Sequence, residues 1–122
     1  MDEDLKKIIK DCKNLIKEEN LKGLKEYYNN LSNTDLIISN LIGYEYIFQK
    51  IFIYACQYGN KEIIEWLFEI YEKMDNIRKI GLRQLFFYGK YQVKKNKNYK
   101  DKDISWYNEI LDNIKLVNIN KK

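Results

Sequence analysis

Tyr54-Ala55-Cys56-Gln57-Tyr58-Gly59-Asn60-Lys61-Glu62-Ile63-Ile64-Glu65-Trp66-Leu67 is the stretch whose reading decides the fold. It spans the end of one helix, a two-residue joint and the start of the next. Upstream, Ile47, Phe48, Ile51, Phe52, Tyr54, Ala55 and Tyr58 crowd the positions from 44 to 58 with apolar residues. That density predicts a helix buried on more than one side. Gly59 falls where a helix ends on a left-handed glycine, and Asn60 where an N-cap side chain takes up an orphan N–H. Ile63, Ile64, Leu67, Phe68, Ile70, Tyr71 and Met74 then recur at helical spacing.

The same grammar extends both ways. Leu5, Ile8, Ile9, Cys12, Leu15 and Ile16 make one apolar stripe, with Asp2, Glu3 and Asp4 at the end that suits the helix dipole. After Glu18-Glu19-Asn20 the pattern resumes with Leu21, Leu24, Tyr27, Tyr28 and Leu31, which reads as a helical hairpin. Ser32-Asn33-Thr34-Asp35 predicts a break, and residues 36–42 a short helix. Downstream, Asp75-Asn76 starts another helix, with Ile77, Ile80, Leu85, Phe86, Tyr88 and Tyr91 as its apolar pattern. Lys94 to Lys102 reads as a polar loop or frayed helix end. Asp101 or Asp103 then caps a last helix with Ile104, Tyr107, Leu111 and Ile114 inward. The expectation is an all-α chain of six or seven helices, without a substantial sheet, in one domain over residues 1–122.

Helical pairs that cannot bury their apolar faces alone suggest a stacked array. A shift of 40 residues aligns Leu15-Ile16 with Ala55-Cys56, Asn20 with Asn60, Leu24 with Ile64 and Tyr27 with Leu67. It also carries Trp66 to Trp106, Glu69 to Glu109 and Ile70 to Ile110. The units expected are 1–35, 36–75 and 76–122. Residues 54–67 resemble the middle of an ankyrin repeat: small residues Ala55 and Cys56, turn Gly59, cap Asn60, first-turn Glu62, and core residues Ile63, Ile64, Trp66 and Leu67. The Ile/Asn/Lys/Tyr-rich style, with Trp in the second helix, resembles the large ankyrin-like families of giant DNA viruses. The resemblance implies a short α-solenoid of stacked antiparallel hairpins that binds other proteins. For a viral member it implies the host cell cytoplasm. The match covers residues 50–70. Lys50-Ile51-Phe52-Ile53 stands where such repeats carry Thr-Pro-Leu-His, and the period is nearer 40 than 33.

Composition narrows the chemistry. The chain has 122 residues, no histidine, no proline and two cysteines, and Ile, Asn, Lys and Tyr make up 63 of its residues. Without histidine there is no Ser-His or Cys-His nucleophile pair, and most zinc sites are excluded. No phosphate-cradling glycine loop, Cys-x-x-Cys pair or nucleophile elbow occurs. The expectation is a protein that is not an enzyme and has no cofactor. No apolar run is long enough to span a bilayer, and the acidic start differs from a secretory signal, so an intracellular, non-membrane protein is expected. Cys12 and Cys56 fall on apolar stripes and read as small buried hydrophobes, with a disulfide or reactive thiol as the alternative.

Three features remain as candidates for binding. Glu62, Glu65, Glu69 and Glu72 form one helix stripe, either a solvated face or a contact for a basic partner. Residues 77–102 carry 9 basic side chains against 1 acidic, within a net charge of +4 for the chain. There Lys90, Lys94, Lys95, Lys97, Lys100 and Lys102 interleave with Tyr91 and Tyr99, either as a solvated loop or as a polyanion site. In the second case lysines neutralise phosphates and tyrosines stack on bases. The third feature is aromatic: Trp66, Trp106 and eleven tyrosines, any of which serves as an interface anchor if left exposed. The leading expectation is a protein-binding helical-repeat module, and the alternative is nucleic-acid binding through 90–102. Pairing of two copies through the end faces of the array is a further expectation.

Overall fold

The computed structural model describes residues 3–31 and 41–120. Among the described residues the chain forms six helices and no strand: α1 (Glu3–Lys17), α2 (Leu21–Leu31), α3 (Leu41–Tyr58), α4 (Lys61–Glu72), α5 (Asn76–Lys95) and α6 (Ser105–Asn120). The expected break at 32–35 lies outside the described residues, as does the expected short helix over 36–42 up to residue 40. Leu41 and Ile42 belong to α3.

Polar side chains set the helix starts. Asn20 Oδ1 accepts from the Gly23 N–H at 2.9 Å, and Asn60 Oδ1 from the Ile63 N–H at 3.0 Å. Asp75 Oδ1 accepts from the Arg78 N–H at 2.9 Å. Each satisfies a first-turn donor that the helix itself leaves without a partner. Of the two aspartates expected before the last helix, Asp103 does this work: its Oδ1 accepts from the Ser105 N–H at 2.9 Å. Asp101 instead takes a left-handed turn, with φ of 62°.

Helices α1, α3 and α5 form a row with α3 in the middle, and α2, α4 and α6 pack back on α1, α3 and α5 respectively. A displacement of 40 residues carries α1 onto α3 and α2 onto α4, and brings α3 onto most of α5 and α4 onto the first half of α6. The core runs through the row. Ile8, Cys12 and Ile16 of α1 meet Phe48, Phe52 and Cys56 of α3, then Leu82, Phe86 and Val93 of α5. Phe86 anchors the aromatic part, its ring centroid 4.5 Å from Phe52, 4.6 Å from Tyr71 and 5.8 Å from Phe68. Tyr107 of α6 is fully buried and donates its hydroxyl proton to the Phe86 carbonyl at 2.5 Å. Without that acceptor the hydroxyl would be a costly orphan.

Three expectations are corrected. Gly59 is not left-handed, since no glycine here has positive φ; Glu19, at the equivalent joint between α1 and α2, does, at 56°. Glycine is required at 59 by close approach. A Cβ there would lie 2.8 Å from the Ala55 carbonyl oxygen and 3.1 Å from Ile16 Cγ2 of α1. The second correction concerns α5. Ile77, Ile80, Tyr88 and Tyr91, which the apolar pattern groups with Leu85 and Phe86, are 72%, 78%, 52% and 63% exposed. The buried stripe is Leu82, Phe86, Gly89 and Val93. Apolar residues occupy both sides of this helix, so spacing alone supports two stripes. Gly89 settles the choice, because a Cβ on it would stand 2.4 Å from the Tyr107 hydroxyl and 2.8 Å from Phe52 Cε2. Only a missing side chain lets α5 approach α3 and α6 this closely. Tyr58, also expected in the core, is 54% exposed at the end of α3.

Candidate binding site

The row of α1, α3 and α5 presents one face away from the second helices. Along α1, Lys6, Lys10 and Lys13 share a stripe; along α3, Tyr46, Lys50, Ile53, Tyr54 and Gln57 do the same. Two shallow grooves follow the seams between helices. The first, of about 460 Å³ between α1 and α3, is lined by Lys6, Lys10, Lys13, Lys50, Tyr46 and Tyr54, with Ile9 and Asn14. The second, of about 330 Å³ between α3 and α5, shares Lys13, Lys50 and Tyr54 and adds Gln49, Ile53, Gln57, Leu85 and Tyr88. No carboxylate lines either groove.

Lysine and tyrosine are interlocked on this face. Lys13 Nζ lies 5.2 Å from the Tyr54 ring centroid, and Lys50 Nζ lies 5.4 Å from that of Tyr46. The ring faces attract the ammonium groups and hold otherwise floppy side chains over the seams. Tyr54 in turn packs on Tyr58 with centroids 4.7 Å apart. At the α5 edge, Gln57 Nε2 donates to Gln92 Oε1 at 3.1 Å, and Gln92 Nε2 donates to the Tyr88 hydroxyl at 2.8 Å. Two acids adjoin these residues in sequence: Glu45 lies against Gly81 of α5, and Asp11 is turned toward α2. Its Oδ2 accepts from Lys7 Nζ at 2.8 Å and from the Tyr27 hydroxyl at 2.7 Å. Those two hydrogen bonds, Lys7 first, hold its carboxyl below the usual range.

The sequence-selected basic segment is split by the fold. Lys90, Tyr91, Lys94 and Lys95 belong to α5, whereas Lys97, Tyr99, Lys100 and Lys102 sit in the connection to α6. Lys94, Lys95, Lys97, Lys100 and Lys102 are exposed, as is Tyr91, while Lys90 is half-buried. Tyr99 has a structural engagement: its hydroxyl accepts from the Lys61 N–H, and its ring stands edge-on to Trp106 at 5.3 Å. Burial pushes its hydroxyl pKa up. The acidic stripe divides too: Glu62, Glu69 and Glu72 are exposed and Glu65 is half-buried.

Sequence reading treats 94–102 as uniformly polar, and Asn96 is its exception. Asn96 is 1% exposed. Its Nδ2 donates to the carbonyls of Cys56 at 3.0 Å and Gly59 at 3.1 Å, and Asn98 Nδ2 adds a 3.1 Å bond to Gly59. Asn96 Oδ1 accepts from the Asn98 N–H at 2.9 Å. The connection after α5 thus caps the C-terminal end of α3, taking up carbonyls its last turn leaves without partners. One asparagine among fourteen gives no sequence signal for this; the position 40 residues after Cys56 is the only hint.

Of the residues on which the ankyrin resemblance rests, Ala55, Cys56, Gly59, Ile63, Ile64 and Leu67 are buried, Asn60 caps α4, and Glu62 is exposed in its first turn. Trp66 is half-buried, edge-on to Tyr28 of α2 at 5.6 Å. Burial pushes the Cys12 thiol up to about 12 and the Cys56 thiol higher still, and both cysteines are unpaired by disulfide. A thiol held protonated is a poor nucleophile and a poor metal ligand. Among the described residues no group of three or more histidine, cysteine or acidic side chains stands together, and no helix is long and apolar enough to cross a membrane. No model of a known protein family matches the chain, and no curated protein or solved structure does either.

Proposed function

We propose that the protein is a binding module without chemistry of its own, built from degenerate ankyrin-like helical pairs, and that it captures another protein on the α1–α3–α5 face. The observation carrying this reading is the charge pattern of the two grooves: four lysines, three tyrosines and no carboxylate. Tyrosine supplies rigid contact area with a polar tip, and lysines pre-placed over rings lose less freedom on binding. A partner presenting carboxylates beside apolar side chains complements such a surface. The test is affinity capture in expressing cells with wild type, Lys13→Glu/Lys50→Glu, and a control reversal on α2, Lys22→Glu/Lys25→Glu. Proteins retained by wild type and the control but lost with the face variant support the reading. Capture that is equal for all three, or absent from all, sinks it.

A second reading, polyanion binding through 90–102, is favoured by the shared exposure of Tyr91 and five lysines. It expects affinity for single- or double-stranded nucleic acid that falls steeply with salt and drops in Lys94→Glu/Lys95→Glu/Lys97→Glu. No binding at low salt disposes of it.

A further inference from the structure

The side of α5 that faces away from its buried stripe carries almost no charge of its own, the Glu45 carboxylate of α3 standing at its edge against Gly81. Ile77, Ile80, Gln84, Tyr88 and Tyr91 fall on it at helical spacing, and four of the five are large apolar or aromatic groups at least half exposed. The helix carries six cations, Arg78, Lys79, Arg83, Lys90, Lys94 and Lys95; only Lys95, in the last turn, lies on this side. A solvated helix in a lysine-rich chain would scatter its charges over the exposed side. Here they are segregated to the flanks, which is the pattern of an interface.

The stripe is also its own complement. Ile80 and Tyr88 stand four residues either side of Gln84, and Ile77 and Tyr91 seven residues either side. Four and seven residues are close to one and two helical turns, so all five positions stay on one side. A second α5 laid antiparallel with Gln84 opposite Gln84 therefore sets Ile80 against Tyr88 and Ile77 against Tyr91 at both ends. A two-fold contact requires this self-matching. The antiparallel sense also keeps the two Lys95 at opposite ends of the contact. A head-to-tail contact has no such match, because the outer side of α1 is polar, with Glu3, Lys7, Lys10, Asn14 and Lys17.

We infer that the chain forms a two-fold dimer through α5, with Ile77, Ile80, Tyr91 and the outer edge of Tyr88, whose ring also lines the α3–α5 groove, as the buried contact and Gln84 on the axis. The axis stands perpendicular to both helices, so the lysine–tyrosine faces of the two copies lie side by side. One helix against one helix is smaller than the ~800 Å² per partner of a standard interface, so the dimer is a concentration-dependent one.

The test is sedimentation or light scattering of the full chain from about 1 μM to about 1 mM, a range that brackets weak and moderate affinities. The expected result is a monomer–dimer equilibrium that Ile80→Glu shifts to monomer by tenfold or more, with the helical circular-dichroism signal unchanged. Gln84→Cys, oxidised, should give a disulfide-linked dimer at least tenfold faster than the α2 control Lys22→Cys, the native thiols being buried. A monomer of 14.9 kDa throughout the range overturns the inference. So does a dimer that ignores Ile80→Glu or in which the two cysteine variants cross-link alike; either result assigns the contact to another surface.

Discussion

Helices α1 and α5 occupy the two ends of the same row, and they meet solvent in opposite ways. Both bury one stripe against α3. On its far side α1 carries Glu3, Lys7, Lys10, Asn14 and Lys17, a polar surface suited to water. On its far side α5 carries Ile77, Ile80, Gln84, Tyr88 and Tyr91. In α1 the apolar residues are few and sit on one side, so period and packing agree. In α5 they lie all round, so the period is ambiguous and packing decides. A helix at the end of a row is therefore not closed by its position; its outer side chains close it or leave it open.

The largest test of this contrast lies on the inner side of α5. Gly89→Ala should cost about 3 kcal/mol in denaturant unfolding, since the added carbon meets the Tyr107 hydroxyl, Phe52 and Cys56 Sγ within 3.0 Å. A loss under about 0.5 kcal/mol, the size of an ordinary surface change, would mean that α5 is not held by that stripe. Asn96→Ala should come next, at about 2 kcal/mol, because the Cys56 and Gly59 carbonyls lose a buried donor. The companion Asn98→Ala should cost less, as Gly59 keeps its bond from Asn96.

On the other side of the same helix the sign should reverse. Gly81 is exposed, and a Cβ there comes no nearer than 3.4 Å to Glu45. Gly81→Ala should stabilise by about 0.5–1 kcal/mol through helix propensity, raising the unfolding midpoint. If Gly81→Ala and Gly89→Ala destabilise alike, the assignment of inner and outer sides fails.

The smallest effect belongs to α1. Asp11 is ionised more readily in the folded state, first through Lys7 and then through Tyr27. A folded pKa below the unfolded value contributes stability that is present above about pH 4 and is lost as pH falls through the folded value. Asp11→Asn should flatten this acid-side slope while leaving the neutral-pH fold intact. An unchanged slope would show that the carboxylate of α1 plays no part in linking it to α2.

Much of the helical framework was legible in the residues. Asn20, Asn60 and Asp75 announce helix starts because a short polar side chain before an apolar period has few other roles. The lysine–tyrosine face was not legible as a unit. Lys13, Lys50 and Tyr54 come from two helices, and the period places each on a solvent side without saying that those sides adjoin. The basic run at 90–102 was conspicuous in sequence because its lysines are neighbours along the chain, yet the fold divides them between a helix and a connection and engages Tyr99 in packing.

By itself the sequence determined the all-helical class, the helix starts at Asn60 and Asp75 and the 40-residue recurrence, all of which depend on backbone donors and local spacing. Tertiary structure alone decided which side of α5 turns inward, why residues 59 and 89 are glycine, and that one buried asparagine holds the end of α3. Those depend on how closely two helices approach. That distance is fixed by atoms that meet across tens of residues and leave no local pattern.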